Sequence, residues 1–408
     1  VSTTNKLKIF NDPIYGFVYI PSEFVYDLIQ HKYFQRLRRI SQMGLSYLVY
    51  PGAHHTRFHH AVGCMHLMQK AVDTLRGKSV EISQEEQQAL YIAILLHDIG
   101  HGPFSHAMEH SIVGCNHEDI SLLFMDKLNQ EFNGELTLAI EIFKGNYKRK
   151  FLHQLISGQL DMDRIDYLKR DSFYSGVAEG NINSERLIQK LNVVDDNLVI
   201  EEKGIYSVEK FLVARRLMYW QAYLHKTSIV AETMLTKTLQ RAKTLTKNGK
   251  NIISNPALSF FLNNQIDNSN FDFEILEKFS ELDDYDIISA LKEWQYSEDY
   301  VLNCFSSMII RRNLLKIEIS NEKIERQKII NFRTILSKKE NISMEEAKYF
   351  VFEGTISNQA YDKNYEPILI LHKNGKIEDL ITASDKSYLK SLTQKVFKHY
   401  FCYPRTLS

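Results

Sequence analysis

Long apolar runs are missing from this chain: no stretch approaches the roughly 18 consecutive apolar residues that a membrane-spanning helix needs. Cysteine is scarce. The four present, Cys64, Cys115, Cys304 and Cys402, include no Cys-x-x-Cys pair. That argues against a disulfide framework and against a thiolate zinc site. A net charge is missing too, with 50 Lys+Arg against 50 Asp+Glu, so no global field advertises nucleic acid or a basic partner. Proline is sparse, at 7 in 408 residues. Apolar residues recur mostly at three- and four-residue steps, and both features favour helices. The start, Val1 to Lys6, carries no apolar h-region, and the expected setting is the reducing cytoplasm. There are no internal repeats and no low-complexity tract.

Local patterns divide the chain. Alternating apolar residues from Lys8 to Ile20, around Asp12-Pro13 and Gly16, predict a short hairpin. Ser22 to Gln42 reads as helical, with Arg36, Arg38 and Arg39 crowded near its end. Ser83 to Glu86 forms a capping box that opens a helix through Leu90 and Leu95, and Gly100 and Gly102-Pro103 stop it after His97-Asp98. Leu187 to Glu201 is weakly strand-like. Helical spacing runs from Ser207 to Leu239 and again from Phe273 to Ile317, separated by a surface loop at Lys247 to Asn251. Near the C-terminus, Asn374-Gly375 between two apolar runs is a hairpin signal. The expected class is mainly α, a helical bundle with an N-terminal β-hairpin and a smaller mixed α/β C-terminal region. The expected division is 1–50 hairpin and helix, 51–240 catalytic core, 241–330 helical extension and 331–408 α/β subdomain.

Histidine is abundant, with 15 residues, many of them bunched. His54-His55-Thr56-Arg57-Phe58-His59-His60 comes first. His97-Asp98 to His106 follows, then Asn116-His117-Glu118, then Asp161 to Asp171. Imidazole nitrogen with carboxylate oxygen suits borderline divalent metals. A set of such ligands that leaves coordination positions open for water and substrate supports metal-assisted hydrolysis. A single His-Asp pair carries no argument. Four such clusters in order do, and one of them ends a strongly apolar helix where an unpartnered pair would be costly to bury. If the last cluster is helical, Asp163, Tyr167 and Asp171 share one face at i, i+4 and i+8. That face suits an elongated substrate with phosphates at one end and a sugar further along. Arg57, Arg164, Lys169, Arg170, Arg215, Arg216 and Lys226 lie near these clusters, and the arginine fork matches phosphate.

At these residues the chain resembles the HD-domain superfamily. The order His60, His97-Asp98, Asp163 resembles its H…HD…D signature. The segments Lys8 to Gly16, Phe34 to Arg38, Tyr50 to Ala53, Thr56 to Phe58, His97 to His106 and Asp161 to Tyr167 resemble its deoxynucleoside triphosphate triphosphohydrolases. The resemblance extends from about Lys8 to Lys226 and thins towards Lys316. It implies hydrolysis of a dNTP to deoxynucleoside and inorganic triphosphate. His60, His97, Asp98 and Asp163 would hold one divalent metal (Mn, Fe, Ni, Co, Zn or Mg), with Mg accompanying the nucleotide. His117, positioned by Glu118, would protonate the leaving 5′ oxygen. His101, His106, Arg57, Arg164, Tyr167 and Arg215 would meet the phosphates. Asp171 would accept from the sugar 3′ hydroxyl, and Gln42 and Tyr223 would line the sugar and base pocket.

The same resemblance implies an activating nucleotide at Asn11, Gln35, Arg38, Arg312 and Lys316, and a homo-oligomer, tetramer or hexamer. The chain departs from the pattern at Gln30, where relatives read guanine with an Asp, which puts activation by a guanine nucleotide in doubt. His59 and Ala61 also depart. Two alternatives stay open. One is an HD phosphohydrolase of another nucleotide or phosphate ester. The other is a non-catalytic HD protein that binds single-stranded nucleic acid or a partner; separately, Arg36, Arg38 and Arg39 and Lys148 to Lys150 leave accessory nucleic-acid binding open.

Overall fold

The computed structural model describes residues 8–104, 106–109, 111–385 and 389–407, the side chain of His106 excepted. The chain begins with the expected hairpin, β1 (Ile9–Asp12) against β2 (Gly16–Tyr19), with Ile9 opposite Tyr19. Asp12 closes its turn. Its Oδ1 accepts from the backbone N–H groups of Ile14 (2.8 Å) and Tyr15 (3.0 Å). Gly16 follows at φ +75°, a left-handed conformation open to glycine at no steric cost.

The helix expected over Ser22 to Gln42 is broken. Glu23–Gln30 and Lys32–Gln35 are separate helices, followed by a 3₁₀ turn at Arg36–Arg39. The break is His31, whose backbone is extended (φ −62°, ψ 141°) and whose ring caps the next turn. This redirection buries Tyr33 and Phe34 completely. It also carries Arg36 into the core, fully buried, where it donates to the carbonyls of Ile99 (2.8 Å) and Leu282 (3.2 Å). Arg36 is therefore structural and unavailable to nucleic acid.

Three helices build the centre: α1 (Arg57–Gly77), α2 (Gln84–Leu96) and, further on, α4 (Met162–Ser175). The expected capping box is present at the start of α2, with Ser83 and Glu86 each bonding the other's backbone N–H. Every residue from Ala89 to Leu96 is buried, as befits a helix apolar on all sides. Each large side chain among them contributes about 1.5–3 kcal/mol by leaving water. Between α2 and α4 lies α3 (His117–Glu131), capped by Asn116. Beyond α4 come a hairpin of β3 (Leu191–Val194) and β4 (Asn197–Glu201), then α5 (Ile205–Met218), a π turn at Tyr219–Tyr223, and α6 (Lys226–Lys247).

Towards the C-terminus come β5 (Lys316–Ser320), β6 (Phe352–Asn358), β7 (Leu369–Leu371), β8 (Ile377–Asp379) and β9 (Val396–Tyr403). The hairpin signal at Asn374-Gly375 corresponds to β7 and β8, with Gly375 at φ +83°. Strand β7 then pairs in parallel with β4, Val199 opposite Leu369. Strand β9 lies between β5 and β6. The sheets thus tie residues beyond 331 to strands at 197–201 and 316–320. Among the described residues no helix is long and apolar enough to cross a membrane.

Candidate metal centre

Four side chains from three places converge. His60 comes from the first turns of α1, His97 and Asp98 from the turn that ends α2, and Asp163 from the first turn of α4. His60 Nε2 lies 3.1 Å from Asp163 Oδ1 and 3.7 Å from Asp98 Oδ2. His97 Nε2 lies 3.5 Å from Asp98 Oδ1 and 3.5 Å from Asp163 Oδ1. Ligands around one ion at about 2.1 Å stand roughly 3.0–3.4 Å apart; His60, His97 and Asp163, with Cys64 beside them, are grouped closely enough to hold one ion, and Asp98 borders them with a different oxygen toward each histidine.

The two imidazoles are oriented from behind. His97 Nδ1 is 2.7 Å from the Ile94 carbonyl. A carbonyl only accepts, so Nδ1 carries the proton and Nε2 presents its lone pair. That Nε2 is buried with no hydrogen-bond partner of its own. His60 is fully buried, and its Nδ1 is 2.8 Å from Asp166 Oδ2. A carboxylate behind a ligating histidine fixes the tautomer and raises ligand basicity. The donor set, two imidazoles and two carboxylates with an orphaned lone pair, fits a divalent metal. Cys64 also lies close, its Sγ 3.4 Å and 3.6 Å from the two His60 nitrogens. Burial pushes its thiol pKa up, so it packs against the ring as a thiol.

Burial by itself would raise both carboxyl pKa values. His97, Arg57 and His101 outweigh it at Asp98, and the adjacent His60 and His97 rings outweigh it at Asp163. Both are held well below the usual carboxylate range and are charged at neutral pH. Arg57, at the start of α1, bonds Asp98 Oδ2 directly.

A second group flanks the first. His101 Nε2 is 3.3 Å from Asp98 Oδ1. Its ring stacks on His117 at 3.9 Å, nearly parallel at 16°. Burial, with Arg57 nearby, pushes the His101 pKa down to about 3. The carboxylate that meets His117 is not the expected one. Glu109 Oε1 lies 2.9 Å from His117 Nδ1, whereas Glu118 is exposed on the same helical turn as His117. Adjacent residues on a helix point about 100° apart, so Glu118 faces water while His117 faces the centre. Gly100 permits this packing: a Cβ there would stand 2.2 Å from the His117 carbonyl.

Further along α4, the predicted face is present. Asp163, Tyr167 and Asp171 follow one another on one helix. Asp171 is 2% exposed and held at both oxygens. His55 Nε2 donates to Oδ1 at 2.6 Å, and the Tyr223 hydroxyl donates to Oδ2 at 2.6 Å. Tyr167, Tyr219 and Tyr223 form an edge-to-face group, with centroids 6.1 Å and 5.1 Å apart. The π turn places Tyr219 and Tyr223 there, and its Leu224 N–H reaches back to the Tyr219 carbonyl. Gln42 Oε1, Arg164 Nε and Arg215 Nε are buried polar atoms with no partner. Arg164 is otherwise bonded to Asp161, and Arg215 donates to the Ala360 carbonyl at 3.1 Å. The side chain of His106 lies outside the described residues.

A model of the HD domain matches residues 57–171, and one of an HD-associated region matches 182–255. A crystal structure of a phosphohydrolase from Bacteroides thetaiotaomicron is 51% identical, with a TM-score of 0.95, over 98% of this chain and 100% of that one. The chain belongs to the HD-domain phosphohydrolase family. This HD-domain protein is also 33% identical to the uncharacterized protein YwfO of Bacillus subtilis, over 98% of this chain and 93% of that protein. It is 31% identical to the deoxynucleoside triphosphate triphosphohydrolase SAMHD1 homolog of Dictyostelium discoideum, over 59% of this chain and 50% of that protein.

The residues expected to bind an effector fall in two places of the HD-domain chain. Asn11 is exposed on β1, while Arg38 bonds Gln35 (2.9 Å) and covers the Phe58 ring at 3.6 Å. Arg312 and Lys316 line a cleft of about 250 Å³ together with Lys226 and Arg405. Gln30 is exposed. Sequence reasoning missed His55, Glu109, Tyr219 and the orienting Asp166. His55 stood in the first histidine cluster and Asp166 in the last, but only tertiary contact separates an orienting residue from a neighbour.

Proposed function

We propose that this HD-domain phosphohydrolase cleaves deoxynucleoside triphosphates to deoxynucleoside and inorganic triphosphate. The observation that carries the reading is the α4 face. It has a candidate metal ligand, Asp163, at one end and a doubly held acceptor, Asp171, at the other, about 12 Å of helix apart. A small phosphate ester needs only the first end. A nucleoside triphosphate occupies both.

A divalent ion held by His60, His97, Asp98 and Asp163 would supply a Lewis acid for a phosphoryl oxygen and a water of lowered pKa. Arg164 and Arg215 offer donors to the polyphosphate. Water attacks the α-phosphorus and the bond to the 5′ oxygen breaks. His117, paired with Glu109, supplies the proton that the leaving oxygen takes. Asp171 accepts from the 3′ hydroxyl, and the Tyr223 ring, tethered to Asp171, occupies the space that a 2′ hydroxyl would need. The basic cleft at Arg312 and Lys316 suits a nucleotide effector, and the likeness to dNTP triphosphohydrolases supports the substrate class.

The test is product analysis. Each dNTP, alone and mixed, is incubated with the protein and Mn²⁺ or Mg²⁺, and products are resolved by chromatography. Nucleoside with inorganic tripolyphosphate is the expected result, and turnover only in mixtures would mark an effector. Turnover of a nucleotide monophosphate or cyclic nucleotide, with every dNTP untouched, would overturn the substrate assignment.

A further inference from the structure

A buried chain of charges runs from the N-terminal hairpin to the metal centre. Asp12 spends one oxygen on its own turn, at Ile14 and Tyr15, and places the other 2.8 Å from Arg170 Nη1. Arg170 then grips Asp166 with a fork, Nε to Oδ2 at 2.9 Å and Nη2 to Oδ1 at 3.0 Å. Asp166 Oδ2 orients His60 Nδ1 at 2.8 Å. Arg170, Asp166 and His60 are 0% exposed and Asp12 is 7% exposed. The helix behind them is shaped for the pair. Gly63 on α1 has no side chain, and a Cβ there would stand 2.2 Å from both Arg170 Nη2 and Asp166 Oδ1.

From this geometry we infer that Asp12 is a positioning residue of the metal centre, so that the turn of the N-terminal hairpin sets how firmly His60 holds its ion. The inference rests on the reading of His60, His97, Asp98 and Asp163 as the metal ligands. Asp166 alone would be a carboxylate behind a histidine. A lone carboxylate there would move with the rotamer of its own side chain. Arg170 fixes both of its oxygens, and Asp12 is the only carboxylate besides Asp166 that the described residues offer to Arg170. The two anions together offset the buried guanidinium, and Asp166 also accepts the Nδ1–H of His60. Removing Asp12 leaves the fully buried Arg170 undercompensated, and its fork is then drawn further onto Asp166 and away from its present alignment. Asp12 lies 48 residues before His60 in sequence, and the hairpin's other face carries exposed Ile9, Phe17 and Tyr19. Anything that shifts the turn is thereby felt at Nε2 of His60.

The test is Mn²⁺ affinity, read from the electron paramagnetic resonance signal of the free ion, on the full chain and its variants. Asp12→Asn and Asp12→Ser keep an acceptor for the turn and remove the carboxylate from Arg170. Each is expected to weaken Mn²⁺ binding about tenfold, the lower end for outer-shell partners. Two comparison variants accompany them. Asp163→Ala removes a ligand, and Asp299→Asn breaks the Arg241–Asp299 pair, which shares no residue with the Asp12–Arg170–Asp166–His60 chain. Unchanged affinity in both Asp12 variants, with binding lost in Asp163→Ala, overturns the inference and leaves the metal reading standing. An equal loss in Asp299→Asn also overturns it, since general destabilisation would then suffice. Wild-type protein that binds no Mn²⁺, or Asp163→Ala that binds it fully, overturns the metal reading and the inference together.

Discussion

His55 donates from Nε2 to Asp171 Oδ1 across 2.6 Å, with the imidazole side chain fully buried and stacked on Tyr174 at 4.4 Å. This bond and the Tyr223 hydroxyl together hold the one carboxylate at the far end of the α4 face. Substituting His55→Phe keeps a flat ring for the stack and deletes the donor. Hydrogen bonds to charged groups contribute about 1.5–3 kcal/mol, so kcat/KM for a dNTP should fall about tenfold or more. Mn²⁺ affinity should not change. Steady-state kinetics on dNTPs and their 3′-deoxy analogues check this, and undiminished discrimination against the 3′-deoxy analogue would contradict it.

The pairing of His117 with Glu109 separates two glutamates that the sequence cannot tell apart. His117→Gln should retain the metal and lower kcat by about 100-fold or more, the usual scale for a lost general acid. Glu109→Gln should lower kcat more than Glu118→Gln, because Glu118 faces solvent. The reverse order of the two glutamate variants would mean that His117 works with the other partner.

Metal and stability should be linked through Asp163. An ion that binds only the folded chain stabilises it by about 2.7 kcal/mol at one hundred times its Kd. Thermal melts with and without Mn²⁺ should show a rise in Tm for the wild type and none for Asp163→Ala. A chelator should reverse the rise. A metal-dependent shift that survives in Asp163→Ala would place the ion elsewhere.

Gly63→Ala should be among the most damaging single changes in the chain. The new methyl group would stand 2.2 Å from Arg170 and Asp166 and must displace a buried ion pair. Breaking such pairs costs about 3–5 kcal/mol. Urea denaturation measures it, and a loss below about 1 kcal/mol would show that the pair can move aside without cost.

Asp284 gives a pH dependence of defined sign. It accepts from the backbone N–H groups of Ser41 (2.8 Å) and Phe104 (2.9 Å), and burial pushes its pKa up to about 6. The folded carboxyl therefore keeps its proton after the unfolded one, near 3.8, has lost it. Stability falls as pH rises through that window and is flat above about 6. Asp284→Asn cannot titrate. Its stability relative to wild type should improve by up to about 3 kcal/mol between pH 4 and pH 7. Urea melts at the two pH values test this, and a pH-independent difference would mean that Asp284 is already ionised at pH 4.

Part of the fold was legible because it follows from local rules. The capping box at Ser83 and Glu86 acts within one helical turn, and the hairpin signals at Asp12 to Gly16 and at Asn374-Gly375 act within a few residues. The broken helix at His31 was hidden because its cause is the burial of Tyr33, Phe34 and Arg36 against segments far away in sequence. The sheets that join residues beyond 331 to β4 and β5 were hidden for the same reason.

By itself, the sequence determined that His60, His97, Asp98 and Asp163 are metal-type donors in an HD order, and that Asp163, Tyr167 and Asp171 share a helix face. Helical period and residue chemistry are properties of a short segment, so they survive without knowledge of the rest. Only the tertiary structure decided which partner each group has. It paired His117 with Glu109 rather than Glu118, brought His55 to Asp171 across 116 positions, and joined Asp12 to His60 through Arg170 and Asp166. Those choices depend on how helices pack once their apolar faces leave water. Packing brings together polar groups that sequence distance keeps apart, and burial then obliges each of them to find a counterpart.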